Sequence, residues 1–188
     1  ISTDAMIAYS ISNQFDTIVY IVGAAIASAT SVVVAQNYGA HNIERIRKAI
    51  RIGVGYTAAV SLLLGSIFAI FAEPMLRILS DSESVIALAK DKMVFLCLTY
   101  FVTSIMEVLA FSMRAIGHQL STMIVGAVCG LGIRCLWRYF AWPINPTLSM
   151  LYTSFVVSAV VAIVIYLFVY RSAMKKMRCE VQPVLTQP

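Results

Sequence analysis

Charged residues are scarce in this sequence, and their scarcity limits the classes of protein to which it can belong. Only 12% of the 188 residues are charged, whereas an average soluble domain contains about 25%. A soluble fold of this size would not have enough polar side chains to cover its surface. The hydrophobic residues, 60% of the total, also lie in long runs rather than in short amphipathic segments. The sequence therefore predicts an integral membrane protein.

The residues and motifs of common catalytic and metal centres are also missing. Histidine occurs only at His41 and His118, and none of the four cysteines belongs to a CxxC pair. The sequence contains no Walker phosphate-binding loop, no GxSxG elbow and no HExxH metal motif. We therefore expect no enzyme activity, no disulfide, no bound metal and no cofactor.

Five apolar segments are long enough to cross the hydrocarbon layer of a bilayer, which takes about 20 helical residues. They cover about 5–37, 50–72, 84–113, 119–141 and 147–170. The prediction is an all-α, polytopic transmembrane helical bundle within residues 1–171, followed by a tail at 172–188. Because the connections are short, we expect consecutive helices to be antiparallel neighbours.

The basic residues predict the orientation of these helices. Eight of the fourteen lie in two clusters beside apolar segments, at 45–51 and 171–178. A nucleic-acid-binding protein would place them on a folded basic face, so no nucleic acid partner is expected. In membrane proteins such clusters mark the cytoplasmic side. Five alternating helices then put residue 1 outside and the carboxyl-terminal tail in the cytoplasm.

The first residue is Ile1 rather than methionine, and no signal peptide is recognisable. An outside start without a signal is expected if earlier helices precede this segment. We therefore expect the chain to be a fragment of a longer membrane protein.

Several stretches resemble the multidrug and toxic compound extrusion (MATE) family. They are Thr3–Tyr9 with Asp16, Val34–Ala40 followed by Glu44–Lys48, Met106–Leu109 with Met113–Gly117, and Ile133-Arg134 with Trp137. The most specific is the glutamine-asparagine pair Gln36-Asn37 before Gly39, followed by a basic helix start. It resembles the loop after helix eight of that family.

The resemblance implies that the chain corresponds to helices eight to twelve of a twelve-helix, two-lobe transporter. It also implies cation-driven export of small organic, often cationic, drugs by alternating access, with a proton or sodium as the coupling ion. The expected location is a bacterial plasma membrane, and the expected partners are these substrates, membrane lipid and the amino-terminal lobe.

Three ionisable residues are predicted inside the bilayer, where each costs about 2.5–3.5 kcal/mol on insertion scales. Glu107 is a candidate cation-coupling carboxylate or, alternatively, a structural hydrogen-bonding residue. Asp16 lies in a polar turn with Asn13 and Gln14, which could line a cavity or occupy the outer headgroup region. Arg134 is expected to be a structural counter-ion, because a fixed cation would repel cationic drugs.

Depth along the helices predicts which of these residues can meet. Asp16 and Arg134 both fall in the outer half of the membrane and could form a pair. Glu107 lies nearer the cytoplasmic end and is not expected to reach Arg134. Gln36 and Asn37 could bond to another helix, but we favour capping of the carbonyl groups at the end of their own helix.

Two other interpretations remain open. One is a lipid-linked oligosaccharide flippase of the same superfamily, although only Arg134 and Arg138 could hold a pyrophosphate in its cavity. The other is a truncated membrane protein that does not transport.

Overall fold

Helices make up every element in the part of the chain that the structure describes. The computed structural model describes residues 3–141 and 148–181. A helix satisfies its own backbone hydrogen bonds, so a long apolar segment remains helical in contact with lipid. The elements in chain order are α1 (Thr3–Gly39), α2 (Ile43–Ile70), α3 (Ala72–Arg77), α4 (Glu83–Ala115), α5 (Gln119–Ala127), a π-helical segment (Val128–Ile133), α6 (Arg134–Ala141) and α7 (Leu148–Val181).

Five helical stretches of the described residues are long and apolar enough to cross a membrane, which confirms the predicted polytopic bundle. They are Met6–Gly39, Ile43–Ile70, Glu83–Ala115, Gln119–Phe140 and Tyr152–Lys175. Large apolar side chains on these stretches face outward, for example Met123 at 72% and Leu131 at 71% exposure. A surface of this kind suits contact with lipid or with further helices rather than with water.

The second span begins earlier than the predicted residue 50. Helix α2 starts at Ile43 because the side chain of Asn42 caps it, accepting a hydrogen bond of 3.1 Å from the backbone N–H of Arg45. Glu44 in the first turn also favours this start, because its charge opposes the helix dipole. The first basic cluster therefore lies on a helix and not in a loop.

The last span also extends beyond its predicted limit of 170. Helix α7 continues to Val181, so residues 172–181 of the predicted tail are helical, while 182–188 lie outside the described residues. The extension is held by buried Ala173, Met174 and Met177, which join the core cluster at this end of the bundle. Burial of these side chains stabilises helical turns that hydropathy alone assigns to a tail.

The third span, α4, packs against α1, α2 and α7 and forms the centre of the bundle. Helices α2 and α4 approach closely at Gly65, where an added Cβ would collide with the carbonyl oxygen of Cys97. Nearby, Ser61 of α2 donates a hydrogen bond of 2.8 Å to Ser104 of α4. Small residues and hydroxyl pairs of this kind hold membrane helices together, because lipid supplies little hydrophobic driving force.

The short turn between α1 and α2 and the segment with α3 between α2 and α4 make the first three spans antiparallel, so the bundle has two distinguishable ends. At one end α2 begins and α7 finishes, and Val34, Ile46, Met113 and Met174 pack together there. We call this the basic end because both basic clusters lie near it. The other end carries α3 and is called the α3 end.

Candidate functional site

A polar cavity of about 260 Å³ lies between α1, α4, α6 and α7. It contains two carboxylates and two cationic side chains, together with aromatic rings and hydroxyl groups. Its lining residues are Tyr9, Asn13, Asp16, Tyr20, Lys92, Leu96, Thr99, Tyr100, Thr103, Met106, Glu107, Arg134, Tyr152, Phe155, Val156, Ser158 and Ala159. The structure thus brings Asn13, Asp16, Glu107 and Arg134, all predicted from sequence, to the walls of one cavity.

Asp16 forms a buried ion pair with Lys92 across the interface of α1 and α4. The Lys92 Nζ lies 3.3 Å from Asp16 Oδ2, with the two side chains 2% and 3% exposed. The same Nζ donates a hydrogen bond of 3.2 Å to the Tyr9 carbonyl and lies 3.8 Å from the centre of the Tyr9 ring. Within the described residues, Asp16 Oδ1 has no hydrogen-bond partner. The lysine therefore neutralises the aspartate, whose second carboxylate oxygen is buried without a partner among those residues.

Glu107 lines the same cavity from α4, about four turns towards the basic end from Lys92. Its side chain is half-buried. In the part of the chain that the structure describes, Glu107 forms no ion pair and no hydrogen bond. An unpaired carboxylate in a membrane cavity is costly unless a cation, a proton or water accompanies it. Glu107 therefore presents to the cavity a carboxylate that no cationic side chain of the described residues neutralises.

Arg134 does not pair with Asp16, which corrects the pairing suggested by depth. Its guanidinium stacks on the ring of Phe155, with 4.1 Å from Cζ to the ring centre. Lys92 already occupies the position beside Asp16. Arg134 directly follows the π-helical segment Val128–Ile133, and the wider turns of a π-helix change the direction of the side chains that follow.

The remaining predicted residues lie outside the cavity. Gln14 is exposed and does not line it, unlike its neighbour Asn13. At the basic end, Gln36 is exposed, and the Asn37 amide donates a hydrogen bond of 2.8 Å to the Val33 carbonyl of its own helix. Asn37 thus bonds within its own helix, to a carbonyl one turn back rather than to the last carbonyls of α1.

In the turn that ends α1, the residue with left-handed backbone geometry is His41 and not the glycine of this motif. His41 has a positive φ of 52°, and Gly39 is the last helical residue. Two backbone bonds close the turn, from His41 N–H to the Tyr38 carbonyl and from Asn42 N–H to the Asn37 carbonyl. This turn brings α2 back antiparallel to α1.

Lys92 lines the cavity and pairs with Asp16, but it was not among the residues predicted from the sequence. It stands one residue before the apolar run that starts at Met93, which made it resemble an interfacial residue. However, it follows the start of α4 at Glu83 by nine residues, roughly 14 Å along the axis. Asp16 and Lys92 both lie in the part of their helices towards the α3 end, so opposite charges at similar depth were the available signal.

The cavity does not have the ligands of a transition-metal site. Among the residues that the structure describes, no group of three or more His, Cys, Asp or Glu side chains could hold a metal ion. Chemically, the cavity offers carboxylate oxygens for a monovalent cation or a proton, and aromatic faces for an organic cation.

Comparisons with known proteins agree on one family. A family model described as MatE matches residues 1–140 of the chain. The probable multidrug resistance protein NorM of Aromatoleum aromaticum (strain DSM 19018 / LMG 30748 / EbN1) is 24% identical over 182 residues, covering 94% of this chain and 39% of the relative. The chain thus spans about two fifths of the length of that relative.

Two solved structures share the fold. The MATE transporter ClbM in complex with Rb⁺ aligns with a TM-score of 0.81 and 20% identity, over 88% of this chain and 39% of ClbM. The Vibrio cholerae MATE transporter VcmN in its bent form aligns with a TM-score of 0.83 and 16% identity, over 95% of this chain and 40% of VcmN. At these identities the alignments establish the fold.

Proposed function

Because the chain belongs to the MatE family of multidrug and toxic compound extrusion transporters, we propose that it forms part of a cation-coupled antiporter that exports small organic molecules. The observation that carries this proposal is the unpaired Glu107 carboxylate in the cavity that also contains the Asp16–Lys92 pair. The chain would supply helices eight to twelve of the transporter, that is, most of its second lobe.

Movement of the coupling ion and export of the substrate are coupled because both compete for one carboxylate. Glu107 can be neutralised by a proton or sodium ion, or it can face a cationic substrate, but one charge cannot do both at once. The rings of Tyr20 and Tyr100 add faces on which an organic cation can rest. Asp16 is less suited to this exchange because Lys92 already neutralises it. The Rb⁺ in the ClbM complex supports monovalent cation binding within this fold.

The driving force is adequate for export. A membrane potential of 100 mV contributes about 2.3 kcal/mol per charge moved, and each tenfold concentration gradient contributes about 1.4 kcal/mol. Alternating access then requires one lobe to rock against the other around a site near the midplane. An amino-terminal lobe is therefore a required partner in this proposal, and the bilayer is its setting.

The test uses the intact transporter, reconstituted in proteoliposomes with an imposed proton or sodium gradient. Glu107→Gln keeps the shape of the side chain and imitates its neutral state, so we expect substrate binding to persist and gradient-driven efflux to be lost. Glu107→Asp should retain part of the efflux with a shifted pH profile. Glu44→Gln is the matched control, because Glu44 is exposed at the start of α2 and outside the cavity.

Normal gradient-driven efflux by the Glu107→Gln variant would remove Glu107 from the mechanism. If the control lost efflux equally, the effect would belong to expression or folding rather than to the cavity.

A variant that no longer exchanged organic cations but still moved a lipid-linked pyrophosphate would favour the flippase. The cavity argues against the flippase, because its two cationic side chains are matched by two carboxylates.

A further inference from the structure

A second concave surface lies on the opposite side of α4 from the polar cavity. It is a groove of about 750 Å³ between α2 and α7, with α4 as its floor. Its lining residues are Arg47, Ile50, Arg51, Val54, Gly55, Ile105, Leu109, Ile163, Leu167, Tyr170, Arg171, Met174 and Lys175. Along α4, Ile105 faces the groove, whereas the adjacent Met106 and Glu107 face the cavity.

The groove is apolar over most of its length and strongly cationic at one end. The cations come in two pairs, each spaced four residues apart on one helix: Arg47 with Arg51, and Arg171 with Lys175. This spacing puts both members of a pair on the same helix face, one turn apart. Across the described residues, none of these four side chains forms an ion pair. The groove thus carries four positive charges and has no acidic residue among its lining residues.

The length of the groove matches one leaflet of a bilayer. On α7 the lining runs from Ile163 to Lys175, a separation of twelve residues or about 18 Å along the axis. Half of a ~30 Å hydrocarbon layer is about 15 Å. The cationic end therefore falls at headgroup depth when the apolar part is immersed in the hydrocarbon. A small soluble anion would use the cations and leave the apolar walls uncovered.

We propose that this groove binds an acidic phospholipid from the leaflet at the basic end. Its phosphate lies among Arg47, Arg51, Arg171 and Lys175, and an acyl chain follows the apolar wall. Charge complementarity selects an anionic headgroup, since basic pockets between membrane helices on the cytoplasmic side favour such lipids. The bound lipid bridges α2 and α7, which otherwise meet mainly through α4.

The chain offers a charge-matched control for the test. Arg45 and Lys48 belong to the same basic cluster as Arg47 and Arg51, but both are exposed and neither lines the groove. The variants Arg47→Gln/Arg51→Gln and Arg45→Gln/Lys48→Gln therefore lose equal charge from the same helix. Only the first pair touches the proposed lipid.

The measurement is native mass spectrometry of the intact transporter from nanodiscs that contain phosphatidylglycerol and phosphatidylcholine in equal amounts. We expect phosphatidylglycerol to be retained preferentially, and Arg47→Gln/Arg51→Gln to weaken its binding roughly tenfold. Arg45→Gln/Lys48→Gln should change it little. Equal loss in both variants would mean diffuse surface attraction and would overturn the proposal.

A second variant tests the groove without altering its charge. No atom lies within 4 Å of a Cβ built on Gly55, so Gly55→Leu can fold while placing a side chain in the groove. It should displace phosphatidylglycerol with all four cations intact. Unchanged lipid retention in Gly55→Leu, or full competition by soluble glycerol phosphate, would show that no acyl chain occupies the groove. Because the readout is lipid retention, its result is independent of any transport result.

Discussion

The Nζ of Lys92 lies 3.3 Å from Oδ2 of Asp16, and both side chains are almost wholly buried. The pair joins α1 to α4 near the α3 end of the cavity. The two side chains carry opposite charges in a place where neither can be hydrated freely. Each therefore needs the other to offset the cost of its burial. The pair therefore fixes one wall of the cavity, while Glu107 on the same helix remains unpaired.

Removing one member of this pair should be far more damaging than removing both. Asp16→Asn leaves Lys92 buried without a counter-charge, and Lys92→Met leaves Asp16 in the same condition. Breaking a buried pair typically costs about 3–5 kcal/mol, whereas replacing both members can be nearly neutral. We expect each single variant to lose thermal stability in detergent, and Asp16→Asn/Lys92→Met to recover most of it.

A double-mutant cycle supplies the control for that expectation. Asp16→Asn combined with Arg134→Gln should show additive losses, because Arg134 contacts Phe155 and not Asp16. Additive losses in the Asp16–Lys92 cycle as well would contradict the ion pair as described.

Gly65→Ala should destabilise the bundle, because its new Cβ meets the backbone carbonyl of Cys97, which cannot move without shifting α4. Overpacking of this kind costs about 1–3 kcal/mol. Gly55→Ala on the same helix is the matched control, since its Cβ would enter open space. Thermal unfolding of the purified variants should separate the two. Equal melting temperatures would show that α2 and α4 are not in close contact at Gly65.

Impermeant thiol labelling in intact cells tests the charge-based orientation. Positions 82 and 44 are both exposed, at the α3 end and the basic end respectively. Ser82→Cys should be labelled and Glu44→Cys spared, in a background with Cys135 and Cys179 replaced by serine. Permeabilised cells provide the control, where both positions should react. The reverse pattern in intact cells would invert the topology.

Glu73 should make stability depend on pH at the α3 end. Its carboxylate contacts Lys90 at 2.9 Å and Arg77 at 3.3 Å, and these hydrogen bonds hold its pKa below the ordinary value of 4.5. A lowered pKa in the folded state stabilises the protein above pH 4.5, and this contribution is lost as pH falls through the lowered value.

The corresponding variant is Glu73→Gln. It should melt slightly below the parent protein at neutral pH and show no difference once the parent carboxyl is protonated. The effect should be small and weaker in high salt, because Glu73 and both partners are substantially exposed. Melting curves at neutral and acidic pH provide the measurement. A difference that persisted at acidic pH would rule out the ion pairs as its cause.

Hydropathy alone predicted most of the fold. Five spans were recognisable because a membrane helix must carry about 20 apolar residues in sequence, whatever it packs against. The boundaries were less accurate where packing or capping decided them. Asn42 starts α2 early by capping it, and buried Met174 and Met177 keep α7 helical within the predicted tail.

The composition of the site was partly predictable, but its pairing was not. A charge in an apolar run is conspicuous in sequence, so Asp16, Glu107 and Arg134 were identified as candidates, and all three line the cavity. Lys92 was not identified as a candidate because it stands at the edge of an apolar run, where a lysine usually reaches the interface. Its partner depends on the rotation of α4 against α1, which no local pattern encodes.

The sequence by itself determined the membrane setting, the number of spans and the presence of charge within them, because these depend on composition along the chain. Tertiary structure alone decided that Lys92 rather than Arg134 neutralises Asp16, that Glu107 stays unpaired, and that two basic pairs converge on one groove. The physical reason is that each outcome depends on which helix faces meet. Helix rotation is set by the packing of many weak contacts over the whole bundle, such as the close approach at Gly65.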